Sequence, residues 1–411
     1  MKRILFLAIV AFLAGNLGLY GQEKDTAQIE PKVKLELVWE KEFGSPVVDF
    51  AIENDKQDES YVSVVIIGGE VLIINKKGTI TKELSGIEKK LGKGEVSNIF
   101  RLSESGTYII QLWGYAYDGE TKESRAYVYD LKGNLLWQTK NIAPFQFRYL
   151  APNGEYFLGG SRSLTILWGD KKGNTKVIKR FDDSNADLTT GYTAFSGNSE
   201  YWATNYGLPW QGARLRVFKS NGIEKWHTYP AYHRGAGEVA ISTKGKYVGA
   251  IGYEHGISTC TFFLFDISGQ LLWEKRVDGT NYRILFPISD DFVALINAIG
   301  HINLFETLSG NLITEIRIPY DFSIYQDISA SIPMIPVSIS KDGKYIAIGA
   351  RRIITNEDYL FIIIDKSSLT QIPLGSSKGG YLPLPKFSKS EHTLFVARSD
   401  ILTKFNLNEE R

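Results

Sequence analysis

One cysteine, Cys260, stands in 411 residues, so no disulfide can form within the chain. It lies in a dense apolar run, where a thiol packs as a small inert hydrophobe. Histidine is scarce as well. His227, His233, His255, His301 and His392 are scattered and match none of the paired spacings that hold zinc. Neither sign of charge is in excess: 47 basic and 46 acidic residues leave a net +1, too little to draw nucleic acid or an anionic membrane. Asn-x-Ser/Thr acceptor sites are absent, which suits a bacterial export route. After the first twenty residues no apolar run approaches the ~20 residues that span a bilayer. Helix signals are few, and residues 86–91 offer one turn at most.

The start of the chain is of another kind. Lys2 and Arg3 precede an apolar run over 4–13, and small residues lead to Gly21. That is the layout of a secretory signal cleaved near the glycine, residues 1–21. Gly15, Asn16 and Gly18 interrupt the run and argue against a permanent membrane anchor. No cysteine stands at the cleavage point, so no lipid anchor is expected. Residues 22–33 read as a flexible polar leader, and 34–411 as a single domain. The expected location is the periplasm or the exterior of a bacterial cell.

That domain is organised by a repeat. Residues 238–277 hold four β-prone runs separated by three turns. One recurring turn delivers an aromatic that opens the second strand: Gly106-Thr-Tyr108, Gly154-Glu-Tyr156, Ser199-Glu-Tyr201, Gly245-Lys-Tyr247 and Gly343-Lys-Tyr345. Glu59-Ser-Tyr61 and Asp290-Asp-Phe292 are weaker copies. A second turn precedes the fourth strand at Asn75-Lys-Lys-Gly78, Asp130-Leu-Lys-Gly133, Asp170-Lys-Lys-Gly173 and Asp266-Ile-Ser-Gly269. There the Asx side chain can accept from the backbone ahead while glycine takes φ > 0. Ser220-Asn-Gly222 and Leu308-Ser-Gly310 are looser, and Asp365-Lys-Ser-Ser368 has lost the glycine. Trp137, Trp226 and Trp273 each follow a turn glycine by the same interval. Four short strands in about 45 residues, repeated, is the plan of a β-propeller blade.

Complete blades are expected at 48–84, 96–140, 146–181, 192–229, 238–277, 282–318 and 336–374. Residues 35–43, with Trp39 placed like the other tryptophans, read as a fourth strand lacking three. Residues 384–387, 393–398 and 401–407 read as three strands lacking a fourth. The expected fold class is therefore all-β, an eight-bladed β-propeller whose last blade is closed by the N-terminal strand, with seven blades as the runner-up. Joining the two ends removes an exposed sheet edge.

The repeat resembles the broad PQQ-like and WD40-like propeller group. The resemblance rests on Asp-x-x-Gly-x-x-Leu-Trp at 130–137 and 266–273, and on Ser-Lys-Asp-Gly-Lys-Tyr-Ile-Ala at 340–347. It implies the fold and leaves function open. Quinoprotein dehydrogenases of that group hold a quinone and calcium beside an adjacent-cysteine disulfide, which a single cysteine cannot supply. Exported outer-membrane assembly scaffolds look similar too, although they are usually lipid-anchored.

Catalytic signals are sparse. Gly375-Ser376-Ser377-Lys378-Gly379 matches the string of a nucleophile elbow, yet it lies in a connector rather than a strand-to-helix turn. Asp183, Asn185 and Asp187 alternate oxygen ligands, but Leu188 and Ala194 stand where a calcium loop of the EF-hand type needs Gly and Glu. No cofactor is expected, calcium at those three residues being the one candidate. The connections after second and fourth strands emerge on one face of a propeller, and here they carry large polar-tipped groups. These are Tyr115, Tyr117, Tyr206, Trp210, Tyr232, His233, Arg234, Tyr253, His255, Tyr320, Tyr325, Arg351 and Arg352. Tyr, Trp and Arg combine apolar area with a polar handle and anchor interfaces. The expectation is an exported, non-catalytic scaffold, a monomeric ring binding a protein or carbohydrate partner. The alternative is a hydrolase, lyase or oxidoreductase acting on a sugar or small molecule in the central funnel. Arg101, Arg148, Glu238 and Arg283 are the nearest marks of such chemistry.

Overall fold

The computed structural model describes residues 33–54, 60–66, 70–84, 96–102, 108–115, 124–130, 134–138, 146–160, 165–179, 192–208, 212–229, 235–253, 259–279, 282–319, 321–324, 335–376, 382–388 and 393–409. The described residues form antiparallel sheets and no helix. Turn chemistry sets where each strand begins. Second strands open at Tyr108, Tyr156, Tyr201, Tyr247, Phe292 and Tyr345, each just after the turn that marks the repeat. Among the described residues, the one two before the aromatic is left-handed in four well-marked copies, Gly154 at φ 71°, Ser199 at 59°, Gly245 at 70° and Gly343 at 73°, and in the weaker copy at Asp290, at 60°.

Seven blades are built from continuous chain. Blade 1 is Val47–Asn54, Ser60–Ile66, Val71–Ile74 and Ile80–Leu84. Blade 2 is Val96–Leu102, Tyr108–Tyr115, Ser124–Asp130 and Leu135–Gln138, and blade 3 is Gln146–Leu150, Tyr156–Gly160, Thr165–Asp170 and Thr175–Lys179. Blade 4 is Tyr192–Phe195, Tyr201–Leu208, Gly212–Lys219 and Glu224–Thr228. Blade 5 is Gly235–Ile241, Tyr247–Tyr253, Thr259–Asp266 and Leu271–Asp278, and blade 6 is Arg283–Leu285, Phe292–Ile296, His301–Glu306 and Leu312–Arg317. In blade 7 the first-strand position is shared. Phe322–Ser323 and Val337–Ile339 both pair with Tyr345–Arg352, which leads on to Glu357–Ile364 and Ser368–Ser376.

The expected count of eight is thereby corrected to seven blades of continuous chain. The remaining four-stranded sheet is a junction of the two ends, not a repeat of the unit: Val33–Glu42 pairs with Ile401–Glu409, followed by Thr393–Arg398 and Leu384–Phe387. The pairing of the ends is as expected from the sequence. Leu35 stands opposite Leu407 and Glu42 opposite Ile401, with a bulge between Leu37 and Trp39. A second correction concerns the connection 319–334, read as a loop, whose first residues form the short strand Phe322–Ser323. The one-turn helix suggested at 86–91 lies outside the described residues.

The core sits between blades. Phe262, Leu264 and Val277 of blade 5 pack on Ile284, Val293 and Leu295 of blade 6. The next junction repeats the pattern, with Ile302 and Leu304 of blade 6 against Ile346, Ile348 and Phe361 of blade 7. The terminal sheet is wedged the same way. Leu394 and Val396 meet Leu360 and Ile362 of blade 7 on one side, and Phe395 and Leu402 meet Phe50 and Val64 of blade 1 on the other. Apolar side chains on both sides of each strand are what such stacking requires, since a blade is covered by two neighbours.

The Asx turns form as their chemistry dictates. Asp266 Oδ1 accepts from the Ser268 and Gln270 amides at 2.8 and 3.0 Å, and Asp170 Oδ1 from Lys172 and Asn174 at 2.9 Å each. Where glycine is lost, Asp365 and Lys366 take the left-handed conformation themselves, at φ 49° and 63°. Four of the tryptophans use these turns. Each indole N–H donates to a carbonyl in the turn of the next blade: Trp226 to Ile267 at 2.9 Å, Trp273 to Thr307 at 2.7 Å, and Trp168 to Ser220 at 2.6 Å. Trp39 of the terminal sheet does the same to Lys76 of blade 1 at 2.9 Å. Trp137 differs: it stacks on Phe157 of blade 3 with ring centroids 5.2 Å apart, and its N–H is buried without a partner among the described residues.

Candidate functional site

The second strand of blade 7 shows how the rim is built. Its residues 345–350 are apolar or glycine and fully buried, and the strand ends on Arg351 and Arg352. Antiparallel register sets Arg351 opposite Asp358, and Arg352 opposite Phe322. Cross-strand neighbours lie close enough to bond directly. Arg351 Nε donates to Asp358 Oδ1 at 2.8 Å, with 13% of the arginine side chain exposed and none of the aspartate. Asp358 Oδ2 has no hydrogen-bond partner among the described residues. Burying such a pair costs both ions their water, so it holds only while both members are present.

Arg352 is placed differently. Its guanidinium carbon lies 5.2 Å from the centroid of Phe322 and 5.6 Å from that of Tyr359. Its Nε is shielded from solvent and 3.2 Å from Asp321 Oδ2. The Asp321 carbonyl also accepts from the Ile353 amide at 3.0 Å, and the Asn356 amide bonds the Arg352 carbonyl at 2.9 Å. The hairpin tip and the stem of the blade 6 to blade 7 connection are thus tied together. At that tip Ile353 and Ile354 are 60% and 83% exposed. Thr355 Oγ1 and the Tyr359 hydroxyl both donate to Glu357 Oε2, and the hydrogen bond to Glu357 is the main cause that raises the tyrosine pKa.

A second polar constellation joins the innermost strands of blades 5 and 6. The first strand of blade 5 shifts register between Ala236 and Val239, and the extra residues of such a bulge re-aim a side chain. Glu238 there is buried, with Oε1 3.1 Å from Arg283 Nη1 and 3.5 Å from the Ile284 amide. Burial pushes its carboxyl above the usual range, against the opposing pull of Arg283. One blade earlier, the buried Asn205 donates to the carbonyls of Gly237 and Ile251 at 2.9 and 2.8 Å. Both are links between blades, so Glu238 and Arg283 act first as parts of the ring. Asp290, buried in the first turn of blade 6, is likewise raised by burial, with Lys244 and Lys246 opposing.

Among the rim residues named from sequence, Arg351 and Arg352 come together with Asp321 and Asp358. Tyr206 lies inside blade 4 at 1% exposure, and Tyr253 is half-buried against the core between blades 5 and 6. Tyr115 ends the second strand of blade 2, opposite Val96. Tyr117, Trp210, Tyr232, His233, Arg234, His255, Tyr320 and Tyr325 lie outside the described residues, as do the calcium candidates Asp183, Asn185 and Asp187 and the serine at 377. Arg101 and Arg148 are in the first strands of blades 2 and 3. Among the described residues no cluster of three or more His, Cys, Asp or Glu side chains could hold a metal ion. Asp321, Phe322 and Tyr359 were not singled out from sequence, and Asp358, read with Glu357 as a surface turn, is instead a fully buried strand residue. Their only signal was the pairing of polar residues at matched strand ends.

No family model matches the sequence, and no curated protein matches it. Solved structures do. The C-terminal WD40 domain of Sif2 aligns with a TM-score of 0.60 at 10% identity, over 90% of this chain and 98% of that one. BamB from Moraxella catarrhalis gives 0.55 at 12% identity, over 91% of this chain and 100% of that one. The β-propeller domain of Cps50 (Swd1) from Myceliophteria thermophila gives 0.52 at 11%, over 91% and 99%. These likenesses show the fold, a WD40-like β-propeller.

Proposed function

We propose that this chain is an exported, non-catalytic scaffold that binds a protein partner through the face bearing the second-to-third-strand hairpins. The observation that carries this reading is the blade 7 rim, where a stacked arginine stands beside two exposed isoleucines at a braced hairpin tip. Ile299, at the corresponding tip of blade 6, is 59% exposed. The opposite face also exposes Ile223 and Leu308, but its turns are occupied in bonds to the neighbouring blades. Export is supported by the charged, apolar and small-residue order of the first 21 residues. The likeness to BamB fits a place in the periplasm, and the Asp-x-x-Gly-x-x-Leu-Trp turns fit a PQQ-like repeat. Among the described residues no helix is long and apolar enough to cross a membrane.

Site-specific photo-crosslinking tests the reading. A crosslinker at position 354 is expected to capture a discrete partner in envelope fractions, whereas one at position 308 captures none. Capture from 308 alone, or from neither, removes the face assignment. The enzyme alternative draws on one observation, the raised carboxyl of Glu238 on the first strand of blade 5, beside Arg283, since perturbed acids gather at catalytic sites. Under that reading Glu238→Gln abolishes turnover of a sugar or small-molecule substrate and leaves crosslinking untouched.

A further inference from the structure

The turn before the fourth strand of blade 4 differs from its counterparts in one residue. Ahead of the turn glycine the other blades carry Lys77, Lys132, Lys172, Ser268 or Ser309, whereas blade 4 carries Asn221 before Gly222. Asn221 is exposed at the tip, and its Oδ1 accepts from the Ile223 amide at 3.1 Å. The ring closed by that bond contains both the side-chain carbonyl carbon and the Gly222 nitrogen, and the donated N–H draws electron density from that carbon. Glycine adds no side chain to hinder their approach. The brake is the bond from the Gly222 amide to the Lys219 carbonyl at 2.9 Å. This turn also carries the seam between blades 3 and 4. The Ser220 carbonyl receives the Trp168 N–H at 2.6 Å. Gly222 is left-handed at φ +77°, and a Cβ there would stand 3.2 Å from Ile178 Cδ1 and 3.4 Å from Trp168 Cγ. The chain's other Asn-Gly pair, Asn153-Gly154, is only half-buried at its asparagine, but the Asn153 amide is tied to Ser199 Oγ of blade 4 at 3.1 Å.

We propose that Asn221 is a site of spontaneous covalent modification, and that its conversion releases the Trp168 latch. When the turn opens, solvent base takes the Gly222 amide proton and the nitrogen bonds to Asn221 Cγ. The Cγ–Nδ2 bond then breaks, and that nitrogen leaves as ammonia with a proton from solvent. Water opens the resulting succinimide at one carbonyl or the other, giving aspartate or isoaspartate. Isoaspartate adds one carbon to the main chain between Ser220 and Gly222, where a left-handed glycine and a single carbonyl set the seam. Asn221 reacts ahead of Asn153, because its side chain stands in water and its turn is held by fewer bonds to the neighbouring blade. This chemistry is independent of what the rim binds.

Peptide mapping by mass spectrometry of the folded full chain, aged at mildly alkaline pH, tests it. The amide-to-acid mass gain is expected at position 221 before position 153, with part of the product labelled by an isoaspartyl methyltransferase. In the aged protein, hydrogen exchange in residues 165–170 and 224–228 rises roughly fivefold, the worth of one net hydrogen bond. Asn221→Ser cannot form the succinimide, and its exchange stays constant with age. Freshly prepared Asn221→Asp carries the new charge without the added carbon and exchanges like the parent. Absence of conversion at 221 after the urea-unfolded chain has converted fully overturns the site, as does conversion at 153 first. Conversion with unchanged exchange overturns the release of the latch. Faster exchange in fresh Asn221→Asp assigns the loosening to charge and overturns the role of isoaspartate.

Discussion

Trp273 of blade 5 donates its indole N–H to the Thr307 carbonyl of blade 6 at 2.7 Å, and its ring lies on Gly310 of the same turn. A Cβ at Gly310 would stand 2.6 Å from Trp273 Cδ2, and the residue's φ is +68°. Two independent demands, a left-handed backbone and a flat surface for the ring, thus fall on one glycine. Gly310→Ala should destabilise the protein by more than ~1 kcal/mol, the usual size of a residue forced into an incompatible backbone. Chemical denaturation of that variant against Gly44→Ala checks the ring's share, because Gly44 is also left-handed at φ 73° but has open space around it. Equal losses at the two sites would remove the ring contact from the account.

Trp39 carries the same contact across the junction of the chain's ends, to Lys76 of blade 1. Its ring also meets Phe395 edge-on, with centroids 5.9 Å apart. Trp39→Ala is expected to cost about 3 kcal/mol, in the range for large-to-small changes at packed aromatics. Hydrogen exchange should show the loss first in residues 33–42 and 401–409. Uniform loosening around the whole ring would contradict a local role.

The Arg351–Asp358 pair predicts an asymmetry between single and double changes. Arg351→Met strands a fully buried carboxylate and should cost ~3–5 kcal/mol, as broken buried pairs do. Replacing both, Arg351→Met with Asp358→Leu, should recover most of that loss. A double variant as unstable as the single one would mean that the arginine acts through packing instead of charge.

Glu238 gives a pH signature. Its folded carboxyl titrates above the ordinary glutamate range because it is buried, so the folded state holds the proton more tightly than the unfolded chain. Stability from this group is then greatest below the unfolded value of ~4.3 and falls as pH rises from there through the raised folded value. Glu238→Gln removes that slope. The melting temperature of the variant relative to the parent should climb as pH goes from acid to neutral. A difference that stays flat, or that shrinks, would show Glu238 to be ionised at no cost.

The turns were the most legible part of the sequence. Asp170 and Asp266 accept the amides that an Asx turn requires, and Tyr201, Tyr247 and Tyr345 open strands just where the repeat places them. Local hydrogen bonding decides these features, and local sequence carries it. Facing was less legible. Tyr206 follows Asn205 and precedes Gly207, a string that suggests a loop, yet the strand runs on to Leu208 and carries the ring into the interior. The blade 7 site was half visible. Arg351 and Arg352 were singled out as rim residues; Asp358 faces Arg351 within one hairpin, but Phe322 reaches Arg352 only through the pairing of a separate strand. Register of that kind depends on the whole sheet, and no short window of residues encodes it.

The pairing of Val33–Glu42 with Ile401–Glu409 also dictates a sequence of events. The earliest of these strands has no partner until the last has emerged, so a nascent chain must keep its inner side chains waiting while the blades accumulate. A product lacking Ile401–Glu409 would strip the pairing from both Val33–Glu42 and Thr393–Arg398, because that one strand lies between them.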